Sequence, residues 1–376
     1  MRRRTGVHRS LGAGLAAGAL LLASSFELQA QVVTFSVSGS TPASIQPTVD
    51  SFRTALGALN PNVAGSAASG RREINWDGVP DAFSAPNALP GNFFNVNSAR
   101  GVEISTPGSS LQTSATASSG TPIRFGNINA TYSTHFQTFS AQRLFTAIGS
   151  NIIDINFFVP GSTTPATVSG FGAVFTDVES AGSTRITLFL ANGTIGGSFD
   201  VPTSTSAGLS FLGLTHTSRI SRVRIQSGNA ALGGSDNPGG GADLAVMDDF
   251  IYGEPQAKGT LDVDASVTAS KYDALTDGLL VIRYLFGLTG TTLTSGAIGG
   301  TATRTDPAAI KTYLDGMRAV LDVDGNGNAD ALTDGLLILR YLFGLRGAAL
   351  INGAFDPLGA RTTAPDIQTY LQTLTP

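Results

Sequence analysis

Residues 321–345 read "LDVDGNGNADALTDGLLILRYLFGL", with oxygen-bearing side chains at Asp322, Asp324, Asn326, Asn328, Asp330 and Asp334 set directly against an apolar run. Two readings compete. A hard cation such as Ca2+ takes oxygens from alternate positions of a loop, with Gly at the sixth place and a closing acid at the twelfth. A solvated turn ahead of a helix uses the same residue types, because acids favour the positive end of the helix dipole. Counted from Asp322, the odd positions and Gly327 follow the cation pattern, Thr333 stands twelfth, and the closing acid arrives one place later at Asp334. A helix starting near Ala331 turns Asp334 back toward the other acids. The stretch therefore reads as a calcium loop with one extra residue, since a cation offsets the repulsion of crowded carboxylates.

The stretch occurs twice. "DALTDGLLVIRYLFGLTG" at 273–290 matches "DALTDGLLILRYLFGLRG" at 330–347, and the offset of 57 continues through "IKTYL" and "IQTYL". The first copy begins with a loop three residues longer and admits two registers. Counted from Asp262 it offers Asp264, Ser266, Thr268, Ser270 and Asp273 at the calcium positions, without the sixth-place Gly; aligned to the second copy, its closing acid is Asp277. Each copy reads as loop, helix, connector, helix. One such unit leaves an apolar stripe uncovered, so the two copies are expected to pair face to face.

The duplicated D-x-D-x-N-G-x-x-D loop followed by an apolar helix resembles the type I dockerin repeat, an EF-hand-like calcium loop, over residues 261–374. The resemblance implies calcium-dependent folding, secretion, and docking onto a cohesin module or cell-surface protein, often in polysaccharide-degrading machinery. Carried over by position, its ligands are Asp322, Asp324, Asn326, the Asn328 carbonyl, Asp330 and Asp334, with Asp262, Asp264, Ser266 and either Asp273 or Asp277 in the first copy. The chain departs from the family in its extra loop residue, its second helix and long connector, and in Ala331 and Leu332 at the positions that select cohesin.

Working outward, residues 31–255 show short apolar alternations broken by Gly, Pro, Asn and Ser. In "NIIDINFFVP" the residues Ile153, Ile155, Phe157 and Val159 share one face, and in "STRITLFLANGT" the residues Ile186, Leu188 and Leu190 alternate up to a hairpin at Asn192-Gly193. "FGAVFTDV", "RVRIQ" and "LAVMDDFIYG" add further strands. A helix over "TVDSFRTALGAL" behind Thr48 is predicted from Val49, Phe52, Leu56 and Leu59. With 46 Gly and 13% charged residues, the fold class is mainly β: an antiparallel, jelly-roll-like β-sandwich followed by a small helical calcium-binding domain at 256–376, with repeats at 261–317 and 321–374. The segment "RREINWDGVPDAF" and its neighbours resemble β-rich segments of uncharacterised secreted bacterial proteins.

Residues 1–30 read as a secretory signal peptide: basic "MRRR", apolar "LGAGLAAGALLLA", then "ELQA". Cleavage after Ala30 removes four arginines and one glutamate, which moves the net charge from −4 to −7. An acidic, exported protein without Cys is expected, with no membrane span in the mature chain; scattered basic residues argue against nucleic acid. Catalytic groupings are sparse. Beyond the leader the histidines are His135 and His216, both expected on surface strands, and Trp76 is the single tryptophan, where sugar clefts use several aromatic platforms. Asp248 with Asp249, and Asp77 with Asp81, are either a further ion site or strand-end caps, with capping preferred. The sequence thus points to a secreted, calcium-binding, non-enzymatic binding or structural protein whose sandwich ligand, polysaccharide among the candidates, is open; the alternative is an extracellular glycoside hydrolase or accessory protein of polysaccharide breakdown.

Overall fold

The computed structural model describes residues 1, 32–267 and 271–375. The expected signal peptide, Met1 apart, lies outside the described residues, as do Thr268 and Ser270. Twelve strands follow in chain order: β1 (Val32–Gly39), β2 (Arg71–Ile74), β3 (Val102–Ser105), β4 (Ser110–Thr113), β5 (Phe145–Ile148), β6 (Ile152–Phe157), β7 (Ala166–Thr176), β8 (Arg185–Leu190), β9 (Ile195–Asp200), β10 (Leu209–Gln226), β11 (Val246–Gly253) and β12 (Gln256–Ala257). All strand pairs are antiparallel, in the order β3-β6-β10-β7-β11-β5-β4 with β1, β2, β8, β9 and β12 added at the sides. The class is mainly antiparallel β with a small helical region, as the alternations predict. The layers join because β10 serves both: its residues 209–215 pair with β7, and after a register shift between Ile220 and Arg222 its residues 222–226 pair with β6 and β8. The result is a single sheet curled nearly into a barrel.

Between the layers lies an aromatic core in which Trp76 stacks on Phe145 at 4.0 Å and meets Phe250 edge-on. Outside it, helix α1 (Pro42–Leu56) buries Ile45, Val49, Phe52 and Leu56 against Val174, Phe211 and Ile251. This corrects the expected start behind Thr48. Pro42 fits the first turn, Thr41 and Ser44 exchange hydrogen bonds there, and Gly57 at φ 99° ends the helix, leaving Leu59 exposed. Phe52 fits because Gly172 and Gly213, paired across β7 and β10, carry no side chain; a Cβ on either would come within 2.8 Å of its ring.

Sheet pairing ends at β12, two residues past the expected boundary at 255, and the helical tail follows at once. Its first helices, Leu279–Leu285 and Leu336–Leu342, run into glycines at φ 80° and 81° (Gly287 and Gly344). The second helices are capped by side chains, Pro307–Met317 by Asp306 and Ala364–Gln372 by Thr363. The copies meet through the first helices: Gly278 faces Leu339 and Leu342, and Gly335 faces Ile282 and Leu285. Buried Leu280, Val281, Leu337, Ile338, Ile310 and Ile367 fill the space between the helices. Among the described residues no helix is long and apolar enough to cross a membrane.

Candidate metal centre

The acids of the second copy converge. Carboxylate oxygens of Asp322, Asp324 and Asp334 lie within 4.8 Å of one another, and all three side chains are buried. The extra residue is absorbed as a π turn over Ala331–Gly335, in which the Gly335 amide reaches back five residues to the Asp330 carbonyl at 3.0 Å. That wider turn swings Asp334 inward. Its Oδ1 accepts the amides of Val323 (2.7 Å) and Asp324 (3.1 Å), and its Oδ2 accepts the Asp330 amide (2.8 Å). Asp322 Oδ1 accepts the Gly325 and Asn326 amides, so the loop curls around this first acid. Burial, opposed by these amides and reinforced by the Asp324 charge, holds Asp334 up to about 6; burial also raises Asp324.

The remaining expected ligands sit differently. Asn326 Oδ1 accepts the Asn328 amide at 2.8 Å, at the loop's open side. Asn328 and Asp330 are exposed, and Asp330 stands outside the convergent group. Ala331 is buried and Leu332 is 67% exposed.

In the first copy the group is Asp262, Asp264 and Asp277, again within 4.8 Å. Asp277 occupies the place of Asp334: it accepts the Val263 (2.6 Å) and Asp273 (2.9 Å) amides, ends a matching π turn over Ala274–Gly278, and burial holds it up to about 6. Of the two registers the structure therefore adopts the one closed by Asp277. Asp273 instead caps the helix, accepting the Leu275 amide at 2.7 Å, because the π turn leaves it at the helix mouth. Ser266 donates its hydroxyl to Asp264 at 2.6 Å.

Around each loop stands a second ring of contacts related by the same offset of 57. Arg361 donates to the Val323 (2.5 Å) and Asp322 (2.7 Å) carbonyls and lies 4.1 Å over the Tyr370 ring; Arg304 donates to the Val263 carbonyl and lies 3.7 Å over Tyr313. The amides of Asp356 and Gly299 each donate to the third-place acid at 2.8 Å. The sequence reading missed these arginines, although a basic residue repeated at the same offset opposite each acidic loop is the signal that identifies them. It also missed the sandwich. The hairpin after β8 has a four-residue loop, Ala191 to Thr194, with positive φ at Gly193 alone, and in it Asn192 donates to Asp322 Oδ2 at 3.0 Å while its carbonyl accepts Arg361 at 2.6 Å.

Several acids of the sandwich are structurally engaged. Asp248 and Asp249 hold Phe139 and Ser140, and Asp77 and Asp81 hold Arg143. Glu254 pairs with Arg72 in the interior, Glu73 with Arg53 and Arg71, and Glu103 accepts from Asn95. Trp76 is fully buried, its indole nitrogen donating to the Asp248 carbonyl. Neither histidine is a surface strand residue: His216 is buried within β10, where burial lowers its pKa, and His135 ends a helical turn beside Asp236.

No protein-family model matches the chain, and no curated protein matches it. Two solved structures of the CBM51-2 and INT domains from Clostridium perfringens ZmpB, one in complex with GlcNAc, align at 11% identity with a TM-score of 0.21. The alignment covers 57% of this chain and 42% of theirs, so the chain spans less than half the length of these structures. Likeness at that level carries neither fold nor ligand across.

Proposed function

We propose that the chain is an exported, non-enzymatic binding or structural protein whose duplicated tail takes up Ca2+ at Asp322, Asp324 and Asp334 and, more weakly, at Asp262, Asp264 and Asp277. The observation that carries this reading is the closure of three carboxylates around a π turn in both copies, all three buried in the second and Asp264 and Asp277 buried in the first. The donor set fits the ion: hard oxygens at alternate positions of a Gly-containing loop, with amides fixing each carboxylate while lone pairs remain. Ca2+ there supplies the positive charge that offsets three anions kept from water. Asp334 joins the loop to the helix, Arg361 ties the loop carbonyls to Asn192, and ordering the loop therefore orders the tail against the sandwich. The first copy is weaker because Ser266 replaces the amide oxygen of Asn326.

The dockerin resemblance extends the reading to a protein partner on a cell surface or in polysaccharide-degrading machinery. In support, Leu332 and Phe343, with their counterparts Leu275 and Phe286, are exposed apolar side chains on the two copies. Calorimetric Ca2+ titration of the full chain, with Asp322→Ala and Asp334→Ala as controls, tests the core of this reading. Binding heat and a raised Tm lost in both variants are expected; equal melting in EDTA and in excess Ca2+ overturns it.

A further inference from the structure

A second gathering of acids lies on the sandwich, built from residues far apart in the sequence. Asp177 follows β7 at φ 70°, a left-handed conformation that few side chains adopt and Asp tolerates better than most. Glu179 comes two residues later, Asp236 and Asp243 lie in the loop before β11, and His135 ends the Tyr132–His135 turn. Ligand atoms of His135, Asp177 and Asp236 fall within 4.8 Å of one another, and so do those of Glu179, Asp236 and Asp243. Asp236 belongs to both groups.

The hydrogen bonds divide these residues into supports and open donors. Asp243 is fully buried, and its two oxygens accept the Glu179 (3.2 Å) and Ser180 (3.1 Å) amides, which fixes the backbone carrying Glu179. Asp177 Oδ1 accepts the Ala207 amide at 2.7 Å, and Asp236 Oδ1 the Leu244 amide at 2.9 Å. With the carboxylates ionised, three buried atoms have no hydrogen-bond partner: Asp177 Oδ2, Glu179 Oε2 and His135 Nδ1, the last 3.9 Å from Asp236 Oδ2; a proton on Glu179 would instead bridge it to Asp177 or Asp243. Asp177 is fully buried, and the Asp236 side chain is 4% exposed. Among the described residues no ion pair joins Asp177, Glu179 or Asp243 to Lys or Arg. Buried anions without a counter-charge are costly, and each orphaned lone pair adds the desolvation cost of an unmade bond. Burial, reinforced by the neighbouring acids, accordingly pushes Glu179 up to about 9 and Asp177 to about 6.

We propose that Asp177, Glu179, Asp236 and His135 form a divalent-cation site on the sandwich, separate from the tail loops, with Asp243 as the positioning residue beneath Glu179. Three carboxylates and one imidazole make a mixed oxygen and nitrogen donor set: the carboxylates accept Mn2+, and the imidazole extends the site to first-row transition metals that the all-oxygen tail loops favour less. The nitrogen is also what separates this site from the tail, whose loops hold no histidine.

The full chain, stripped with chelator and titrated with Mn2+, gives the test by electron paramagnetic resonance. One bound equivalent should show nitrogen modulation from an imidazole, unchanged in Asp322→Ala. That modulation should vanish in His135→Gln, and Mn2+ affinity at this equivalent should fall at least tenfold in Glu179→Gln. Bound Mn2+ without nitrogen coupling in the wild type overturns the assignment. So does a Glu179→Gln protein that melts higher while binding as much Mn2+ as before, since the acids are then held by shared protons only. Should Glu179→Gln fail to fold, the His135→Gln comparison alone decides.

Discussion

In loop two Asp322 accepts the Gly325, Asn326 and Gly327 amides together with Asn192 of the sandwich, whereas in loop one Asp262 accepts the Ser266 amide. Both loops close on the same acid in the same π turn. What differs is the rim: two glycines, an asparagine and a docked hairpin in one copy, a serine-containing and longer loop in the other. Duplication has kept the closing geometry and let the mouth of each loop diverge.

The comparison is broken most sharply at the closing acids. Asp334→Ala should abolish the tighter Ca2+ equivalent and cost on the order of 3 kcal/mol, because three amides lose their acceptor at about 1 kcal/mol each. Asp277→Ala should leave that equivalent intact. Calorimetry and thermal melts read both, and loss of the tight site in Asp277→Ala would show that the loops are not independent.

A next effect is pH-dependent. Asp334 and Asp277 sit at about 6 against an ordinary 3.8, so without metal their protonation stabilises the fold fully below the ordinary value, and that contribution is lost as pH rises through 6. Ca2+ requires the ionised form and reverses the trend. The rise in Tm produced by Ca2+ should shrink as pH falls through 6, and an unchanged rise across that range would contradict the placement of both acids.

Arg361→Ala removes bonds to two loop carbonyls and to Asn192, and should cost about 2 kcal/mol. Arg304→Ala, which has no recorded hairpin contact, should cost less, and chemical denaturation compares them. The smallest change in ion binding is expected from Asn192→Ala, which deletes one bond to Asp322, together with the two bonds its Oδ1 accepts from Thr194 within the hairpin, but leaves the backbone contact to Arg361. A loss of about 1 kcal/mol in Ca2+ binding at loop two, with loop one untouched, is expected by titration.

How much of this was legible follows from how the residues are spaced. The tail acids lie within one loop each, so alternation and repeat length expose them; only the π turn, which decides between Asp273 and Asp277, has no sequence signature. Strand alternation marked β6 and β8 well, because each has one buried face. It could not show that β10 serves two layers: its first half, Leu209–Leu214, is buried throughout and only its second half alternates, a change that does not reveal which strands each half pairs with. The sandwich acids were invisible: Asp177 comes from the connection after β7, Asp236 and Asp243 from the connection before β11, and His135 from a turn between β4 and β5. No local pattern joins them, and tertiary pairing alone brings them together.

The reciprocal fit of Gly278 under Leu339 and Gly335 under Ile282 carries a last consequence. A bulkier residue on either side presses on the other copy's helix, and relief requires trimming the opposing leucine or isoleucine. At this seam the duplicated halves are bound to drift in step, even while their ion-facing rims diverge freely.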